Sequence, residues 1–531
     1  MSEQIGPRLY QTLQDISKLK KSAKEAALDS NRAVKSAEES KMYSATTRKQ
    51  IEDALKNGSR LDELQMLSVD AVSGTKYRYA AERIDANQKE FHQRLQEKAA
   101  LLEVDLTYEI GRGKDFETIS GALAALTKRH VPYIKNGFRV ELKLAAGFVM
   151  SEQVLVKGID LSWIVITSVD PEVRIQRSSL TIPLGEYGQI PAFGSERGVL
   201  PMIGALFVMD TSGDGTNRNG VMCDNGQANI LPRSGVKNAS YKGVFANRSS
   251  IINAHESIFT GAGNDGAYAL NGSTINAYMA DFSGARDRCV RANRGSTINA
   301  HSAILRNCGG EAAILATHAA TINAYDVDCS GALGHGAHAK HNCMVNMRSS
   351  FMRDVRGHGV LAESGSHIDA SGMTIENTGD MGAYALNVST VDLRDSKVHN
   401  AGTFAIHAAR GSTINAHRAT LTGARGEAAI MAQHASTINA WGADAAGAER
   451  EGVKALYTSN VNVKNVNFRN VKGRVLYSES LSNIEASACD MPNNGRVEVS
   501  RGGHIVIFAV DTNLNLSQNE NTLTHNGIIY R

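Results

Sequence analysis

The stretch NGSTINAYMADFSGA, residues 271–285, decides the fold because the chain repeats it with small changes. Similar copies read RGSTINAHSAILRN at 294–307, RGSTINAHRATLTGA at 410–424 and ASTINAWGADAAGA at 435–448. When the copies are aligned on the apolar residue of the INA motif, this marker recurs at steps of 23 or 24 residues. The markers are Ile252, Ile275, Ile298, Ile322, Val345, Ile368, Val391, Ile414, Ile438, Val461 and Ile484. Self-similarity at such a fixed period predicts a stacked array of repeats.

Each repeat reads as strands, because short apolar–polar alternations are separated by glycine and no helix-length pattern occurs. One short strand contains the marker and another precedes it. A further apolar pair, such as Ala280 and Phe282, follows the marker, so one repeat supplies three short strands. Alanine stands six residues before the marker in ten successive repeats: Ala246, Ala269, Ala292, Ala316, Ala339, Ala362, Ala385, Ala408, Ala432 and Ala455. This column indicates an interior with room for one methyl group. The sequence therefore predicts a mainly β protein, a parallel β-helix solenoid of about 23 residues and three strands per coil.

The bulk composition excludes several classes of protein. A net charge of +3 over 531 residues does not indicate a nucleic-acid partner. No apolar run approaches the roughly 20 residues of a membrane helix, and the N-terminus lacks the apolar stretch of a secretion signal. We therefore expect synthesis in a cytosol without membrane insertion. The six cysteines show no CxxC pair and no metal-ligand spacing, and no catalytic or phosphate-binding motif occurs, so we expect buried free thiols, no metal and no cofactor.

Composition divides the chain into four parts. Residues 1–104 are rich in helix-forming residues, and their weak apolar seam fits either two helices packed within one chain or a multichain coiled coil. Residues 105–200 read as an α+β domain leading into the β-helix, with an amphipathic helix at DFETISGALAALTKR, 115–129. We assign residues 201–510 to the parallel β-helix and residues 511–531 to a C-terminal cap.

Outward positions of the predicted coils also form columns. The residue after the marker is Asn or Asp in ten coils, which favours a structural ladder of side chains. The residue three after the marker is often a ring, from His255 to Trp441, and such rings could seal a subunit interface or pack on sugars. The residue seven before the marker varies, which suggests that this face meets another molecule. The glycan-binding candidates lie there: Tyr268, Arg291, His338, Tyr384 and His407.

Carboxylates with spacings suited to glycoside hydrolysis are also present. Glycosidases place two carboxyls about 5–5.5 Å or about 6.5–9.5 Å apart. Asp281 and Asp328 lie two coils apart, Glu427 and Glu451 lie one coil apart, and Glu311 shares the column of the second pair. Like charges about 5 Å apart should raise one pKa, as an acid–base pair requires. A surface with few columns also produces such pairs by accident, and no long insertion walls a groove between residues 245 and 490.

The repeat resembles the right-handed parallel β-helix of pectate lyases and phage tailspikes, over about residues 140–510 and about 12–14 coils. The order of segments resembles bacteriophage tailspikes and tail fibres: a helical N-terminus, a small domain with the DFETISGALAAL helix, the β-helix, and a short polar C-terminus. The resemblance implies a homotrimer in the virion, docked through its N-terminus to phage tail or baseplate proteins. It also implies that the β-helix binds bacterial surface polysaccharide and sometimes cleaves it.

Three hypotheses remain open from the sequence. The chain is a trimeric fibre that binds a host receptor or is structural, without enzymatic activity. Alternatively, it is a polysaccharide depolymerase, a glycoside hydrolase or lyase, that uses a surface carboxylate pair. A third possibility is a β-helix outside phages, either a lyase or an adhesin.

Overall fold

A computed structural model of the chain describes residues 105–128, 139–213, 217–493, 495–508, 514–518 and 528–530. Within these ranges the chain winds into a solenoid of parallel β-strands, each coil stacked on the one before. The predicted coiled-coil and virion-attachment region, residues 1–104, lies outside the described residues, as does most of the predicted cap at 511–531.

The largest sheet, here called sheet A, contains one strand from each of 16 coils. Its strands are Val154–Lys157, Ile190–Glu196, Arg218–Asp224, Val244–Asn247, Ala267–Leu270, Val290–Asn293, Ala312–Thr317, His335–Lys340, Val360–Glu363, Ala383–Leu386, Ile406–Ala409, Ala428–Gln433, Glu451–Leu456, Arg474–Glu479, Arg496–Ser500 and Asn515–Gln518. The coil count exceeds the expected 12–14 because strands without the INA marker, at both ends, join the same sheet.

The INA motifs form a second sheet of 14 strands, here called sheet B. Its strands are Gln227–Asn229, Ile251–Asn253, Thr274–Asn276, Thr297–Asn299, Thr321–Asn323, Met344–Asn346, His367–Asp369, Thr390–Asp392, Thr413–Asn415, Thr437–Asn439, Asn460–Lys464, Asn483–Ser487, His504–Phe508 and Ile528–Tyr530. The markers pair in register from coil to coil, for example Ile275 with Ile298. The period of 23 or 24 residues is therefore one turn of the solenoid, as predicted.

The third strand of each coil is regular only in part of the described solenoid. Four consecutive coils contribute Phe351–Arg353, Thr374–Glu376, Lys397–His399 and Thr420–Thr422, here called sheet C. Neighbouring coils make a single parallel bridge instead, as at Asp281 and Asp444. There the Asp carboxylate accepts the backbone N–H two residues later, 2.9 Å from Ser283 and 3.0 Å from Ala446. Such local turns compete with the strand at these coils, but Ile258 and Ile304 in the same column also make only single bridges. The expected three strands per coil therefore hold in only part of the described stack.

The region before residue 201 forms the first coils of the same stack. It holds the helix Ile119–Lys128 and the 3-10 turn Arg177–Ser179, and it supplies most strands of two four-stranded sheets that are completed by strands between residues 202 and 237. One sheet consists of Leu106–Ile110, Val140–Leu144, Ile164–Ser168 and Met202–Ile203, and the other of Val149–Met150, Val173–Ile175, Leu206–Met209 and Gly235–Lys237. The helix begins after Thr118, whose hydroxyl accepts the N–H of Gly121, and Glu152 accepts the next two free N–H groups, of Ile119 and Ser120.

The interior follows the predicted columns. The ten alanines of sheet A lie in register and are fully buried, and Cys223 continues their column. All six cysteines are free and buried, as expected. A buried serine two residues before the marker adds a ladder that links coils: the N–H of Ser273 donates to Ser296 Oγ at 3.2 Å, and that of Ser366 to Ser389 Oγ at 3.2 Å. The buried turn between sheets A and B is thereby hydrogen-bonded along the axis.

Candidate functional site

The outward residues of sheet A, here called the sheet A face, carry the five glycan-binding candidates. Tyr268 pairs in register with Arg291, and Tyr384 with His407. Although these side chains point outward, Tyr268, His338 and His407 are only 8%, 5% and 4% exposed. The rings cover one another as well: those of Tyr384 and His407 stack at 4.8 Å and 16°. We expected an accessible surface here, but three of the five candidates are buried, and Arg291 and Tyr384 are half-buried.

Charged turns that precede the strands of sheet A cover this face. Glu311 lies at the centre of one such cluster, 3.2 Å from Arg288, 2.7 Å from Lys340 and 3.2 Å from His338. The close contact with His338, followed by the hydrogen bonds from Lys340 and Arg288, holds the pKa of the Glu311 carboxyl well below its usual range. Glu311 is therefore an ionised anchor of the cluster.

The predicted carboxylate pair of Glu427 and Glu451 is bridged by a lysine. Lys454 Nζ lies 2.8 Å from Glu427 and 3.9 Å from Glu451, and Arg474 forms a further ion pair with Glu451. The hydrogen bond from Lys454 lowers the pKa of Glu427. We expected like-charge repulsion to raise one pKa of the pair, and for Glu427 that expectation is wrong because the cation lies between the two carboxylates.

The second predicted pair, Asp281 and Asp328, lies in one column with Ile304 between its members. Each carboxylate accepts the backbone N–H two residues later, that of Ser283 or Ser330, at 2.9 Å. Arg306 also forms an ion pair with Asp328. Burial alone would raise the pKa of Asp328, but the hydrogen bonds from Ser330 and Arg306 lower it. Both carboxylates therefore have structural partners.

Two buried charged side chains near the start of the sheet A face, Lys242 and Asp265, were not found from the sequence. Lys242 is 2% exposed, and its Nζ lies 3.5 Å above the ring of Tyr241. Burial lowers the pKa of Lys242 to about 7, and burial also raises the pKa of the fully buried Asp265. Shifts of this kind often mark functional sites. Both side chains are enclosed, however, and the geometry leaves no space for a substrate beside them.

The outward face of sheet B, here called the sheet B face, begins with a ladder of amides. Each asparagine Nδ2 donates to the Oδ1 of the asparagine one coil before, at 2.8–2.9 Å, from Asn323 back to Asn229. The ladder ends at Asn346, which bonds Tyr325 instead. In the coils that follow, Asp369 and Asp392 form ion pairs with Arg348 and Arg394. The asparagine column thus is the structural ladder that the sequence predicted, over part of its length.

The sheet B face opens into a concavity in its later coils. A shallow depression of about 400 Å³ is lined by Asn415, His417, Asn439, Trp441, Asn462 and Lys464. The rings of His417 and Trp441 stack at 4.3 Å and 12°, and Trp441 remains 46% exposed. Within the described part of the chain, the side-chain amides of the three asparagines make no hydrogen bond. We call this depression the Trp441 concavity.

The described ranges contain neither a metal-binding cluster nor a membrane-spanning helix. No cluster of three or more His, Cys, Asp or Glu side chains is arranged to hold a metal ion there. Among the same residues, no helix is long and apolar enough to cross a membrane.

Comparison with known proteins supports the fold. The family described as "Right handed beta helix region" matches residues 336–528. Similar solved structures include a mutant of a periplasmic alginate epimerase, with 11% identity, 66% of this chain and 84% of that chain covered, and a TM-score of 0.33. Tailspike protein 3 of bacteriophage CBA120 shares 9% identity over 90% of this chain and 67% of its own, with a TM-score of 0.30.

A further similar structure is the catalytic unit of a GH87 alpha-1,3-glucanase from Streptomyces thermodiastaticus. It shares 10% identity, covers 72% of this chain and 65% of its own, and has a TM-score of 0.29. A search of curated protein sequences found no significant match. Likeness at these TM-scores carries no argument about function, and the fold rests on the strand pairing and the family match. The chain is therefore a right-handed parallel β-solenoid of about 16 turns.

Proposed function

We propose that this chain is a bacteriophage tail fibre or tailspike-like protein whose β-helix binds bacterial surface polysaccharide without cleaving it. The observation that carries the proposal is the Trp441 concavity. It combines an exposed indole, a stacked imidazole, three amides without other side-chain bonds and an ammonium group in one depression.

This combination suits a sugar. The C–H face of a pyranose packs on an indole, which offers a large, rigid apolar surface. Each amide both donates and accepts hydrogen bonds, as sugar hydroxyls do. Farther towards the N-terminus, amides of the same column form hydrogen bonds with one another in the ladder. The amides of Asn415, Asn439 and Asn462 are free to bond a ligand.

The state of the carboxylates supports binding over cleavage. A glycosidase needs one carboxyl that holds a proton near neutral pH. Glu311, Glu427 and Asp328 have lowered pKa values, and Asp281 is engaged in a local turn. Glu451 is buried against Arg474. None of the five candidates is a free acid beside a groove.

The assembly is part of the proposal. We propose that residues 1–104 trimerise the chain and dock it to tail or baseplate proteins. The protein is made in the host cytosol and acts in the virion, without contact to nucleic acid or insertion into a membrane. Sedimentation of the full chain tests the trimer, and a monomer at micromolar concentration would contradict it. Proteomic analysis of purified virions tests the location.

Glycan binding is tested with the full chain and purified capsule or lipopolysaccharide from candidate hosts, followed by biolayer interferometry. We expect Trp441→Ala to weaken binding at least about tenfold, since stacking and desolvation on a central aromatic dominate such sites. The matched control is Tyr278→Ala, which removes an equally exposed ring (45%) from the same column but outside the concavity. Equal loss in both variants would contradict a site at Trp441.

Cleavage is tested on the same polysaccharides by assaying new reducing ends and unsaturated products. We expect neither. Reproducible product from the wild-type protein would overturn binding without cleavage and favour the depolymerase. In that case Glu427→Gln and Glu451→Gln identify which carboxylate acts.

A further inference from the structure

A second concavity, separate from the Trp441 concavity, lies at the turns that lead into the last strands of sheet A. Its volume is about 590 Å³, and its charged lining consists of Glu449, Arg450, Glu451, Lys472, Arg474 and Arg496. The two concavities share no lining residue. We call this one the basic concavity, because four of its six charged lining residues are cations.

The central cation is held rigidly. Arg474 forms ion pairs with Glu451 and, at 3.1 Å, with Glu498, both of which are 5% exposed. Its guanidinium carbon also lies 3.7 Å from the ring centroid of Tyr477. The Nε and both Nη atoms of Arg474 donate to these carboxylates, so its guanidinium is a positive charge fixed in the wall of the concavity.

The remaining cations differ in how they are neutralised. Lys472 pairs with Glu449 at 2.6 Å, and Arg496 with Glu498 at 2.6 Å. Arg450 is exposed and forms no ion pair within the described part of the chain. The guanidinium of Arg450, at the rim of the concavity, is therefore not neutralised by an ion pair within the described residues. It is positioned to contact a ligand anion.

Gly473, in the lining of the concavity, allows two coils to lie close together. A Cβ on Gly473 would lie 2.3 Å from the carbonyl oxygen of Arg450, so only glycine lets these two coils approach so closely. The N–H of Gly473 donates to that same oxygen at 2.7 Å. The concavity, at about 590 Å³, is larger than a single inorganic anion needs.

We infer that the basic concavity binds an acidic sugar, with the carboxylate of a uronic acid unit against Arg450 and Arg474 and the sugar ring in the remaining space. The inference goes beyond the proposed function, on which it rests only in taking a polysaccharide as the ligand. It assigns a charge class to the polysaccharide, whereas the Trp441 concavity suits charged and neutral sugars alike.

The test uses the full chain in isothermal titration calorimetry, with oligogalacturonate as the acidic probe and maltooligosaccharide as the neutral one. We expect Arg450→Gln to weaken oligogalacturonate binding about tenfold, because a charge-assisted contact is lost. Arg450→Lys should restore part of the affinity. The matched control is Arg286→Gln, an exposed arginine in the equivalent turn of an earlier coil, and it should leave binding unchanged. Since Arg450 has no ion pair, its removal leaves no carboxylate unpaired and should not impair folding.

The possible outcomes separate the two proposals. Oligogalacturonate binding that does not respond to Arg450→Gln overturns this inference. Binding of maltooligosaccharide as strong as that of oligogalacturonate, and abolished by Trp441→Ala, also overturns it but leaves the proposed function standing. Competition by inorganic phosphate at the same concentration as oligogalacturonate would reduce the site to a general anion site and contradict a sugar ligand. Absence of binding by either sugar, and by host polysaccharide, would contradict both proposals.

Discussion

Sheets A and B share one period and one parallel register, yet they differ on both faces. One inward column of sheet A is alanine and the outward face of this sheet is covered by charged turns, whereas the marker column of sheet B is isoleucine or valine and the sheet B face leaves amides and rings open. His338 on sheet A is 5% exposed, and Trp441 next to sheet B is 46% exposed. A side chain that points outward from a strand is therefore not necessarily accessible, because the adjoining turns determine how exposed that side chain is.

Acidification should expose the largest difference between the two faces. Burial lowers the pKa of His407 to about 4 on the sheet A face, where His358 and His434 oppose its protonation while Asp380 and Glu427 favour it. The unfolded chain takes up this proton near pH 6.5, and the folded chain only near pH 4. Stability is therefore lost as pH falls from about 6.5 to about 4 and not further below, by at most about 3 kcal/mol for this histidine.

The measurement is chemical denaturation of the full chain at pH 7, 5.5 and 4. His407→Phe keeps a ring against Tyr384 without a titrating group, so it should reduce the loss between pH 6.5 and pH 4. His255→Phe, at an exposed ring of the sheet B column, is the control and should leave the pH profile unchanged. An unchanged profile in His407→Phe would contradict the assignment of the buried histidine.

A second test compares the interiors of the two sheets within one coil. Ala362 is fully buried in the alanine column of sheet A, and Ile368 is fully buried in sheet B. Ala362→Leu should cost about 1–3 kcal/mol or prevent folding, because the added methylenes overpack a column with room for one methyl group, whereas Ile368→Leu conserves volume and should cost less than about 1.5 kcal/mol. Equal costs in urea unfolding would show that the two interiors are equally tight.

A smaller effect should separate the two ends of the sheet B face. Asn299 donates to Asn276 and accepts from Asn323, so Asn299→Ala breaks two amide bonds and should cost about 1–2 kcal/mol. Asn462 has no such bonds within the described residues, and Asn462→Ala should not change the midpoint of unfolding. If both variants lost the same stability, the amides at the Trp441 concavity would be engaged in the fold and not available to a ligand.

The sequence was sufficient for the strands and their register, because a 23-residue period fixes which residues stack and alternation fixes which way they point. It could not predict accessibility. Tyr268 and His407 point outward as expected. Their exposure depends on turns one coil away and on how far those turns project from the sheet. The same limit applies to the predicted carboxylate pair. The sequence showed that Glu427 and Glu451 share a column, but it did not show that the side chain of Lys454 extends between them.

Only part of the Trp441 concavity could be predicted from the sequence. The ring column containing His417 and Trp441 followed from the repeat, but the end of the amide ladder did not. Asn276 and Asn439 occupy the same repeat position with the same residue type, and only the neighbouring coils decide whether the amide bonds another asparagine. Similarly, the basic concavity joins residues from three coils whose turns carry no common motif.

Because every column recurs after 23 or 24 residues, whole coils are exchangeable units of construction. Deleting residues 275–297 would place Ile298 directly after Thr274, preserve the alternation and the marker register, and shorten the stack by one strand spacing, about 4.8 Å. Gene duplication or loss of a single coil would act in the same way. The reach of such a protein can thus change in fixed increments, independently of what any one coil recognises.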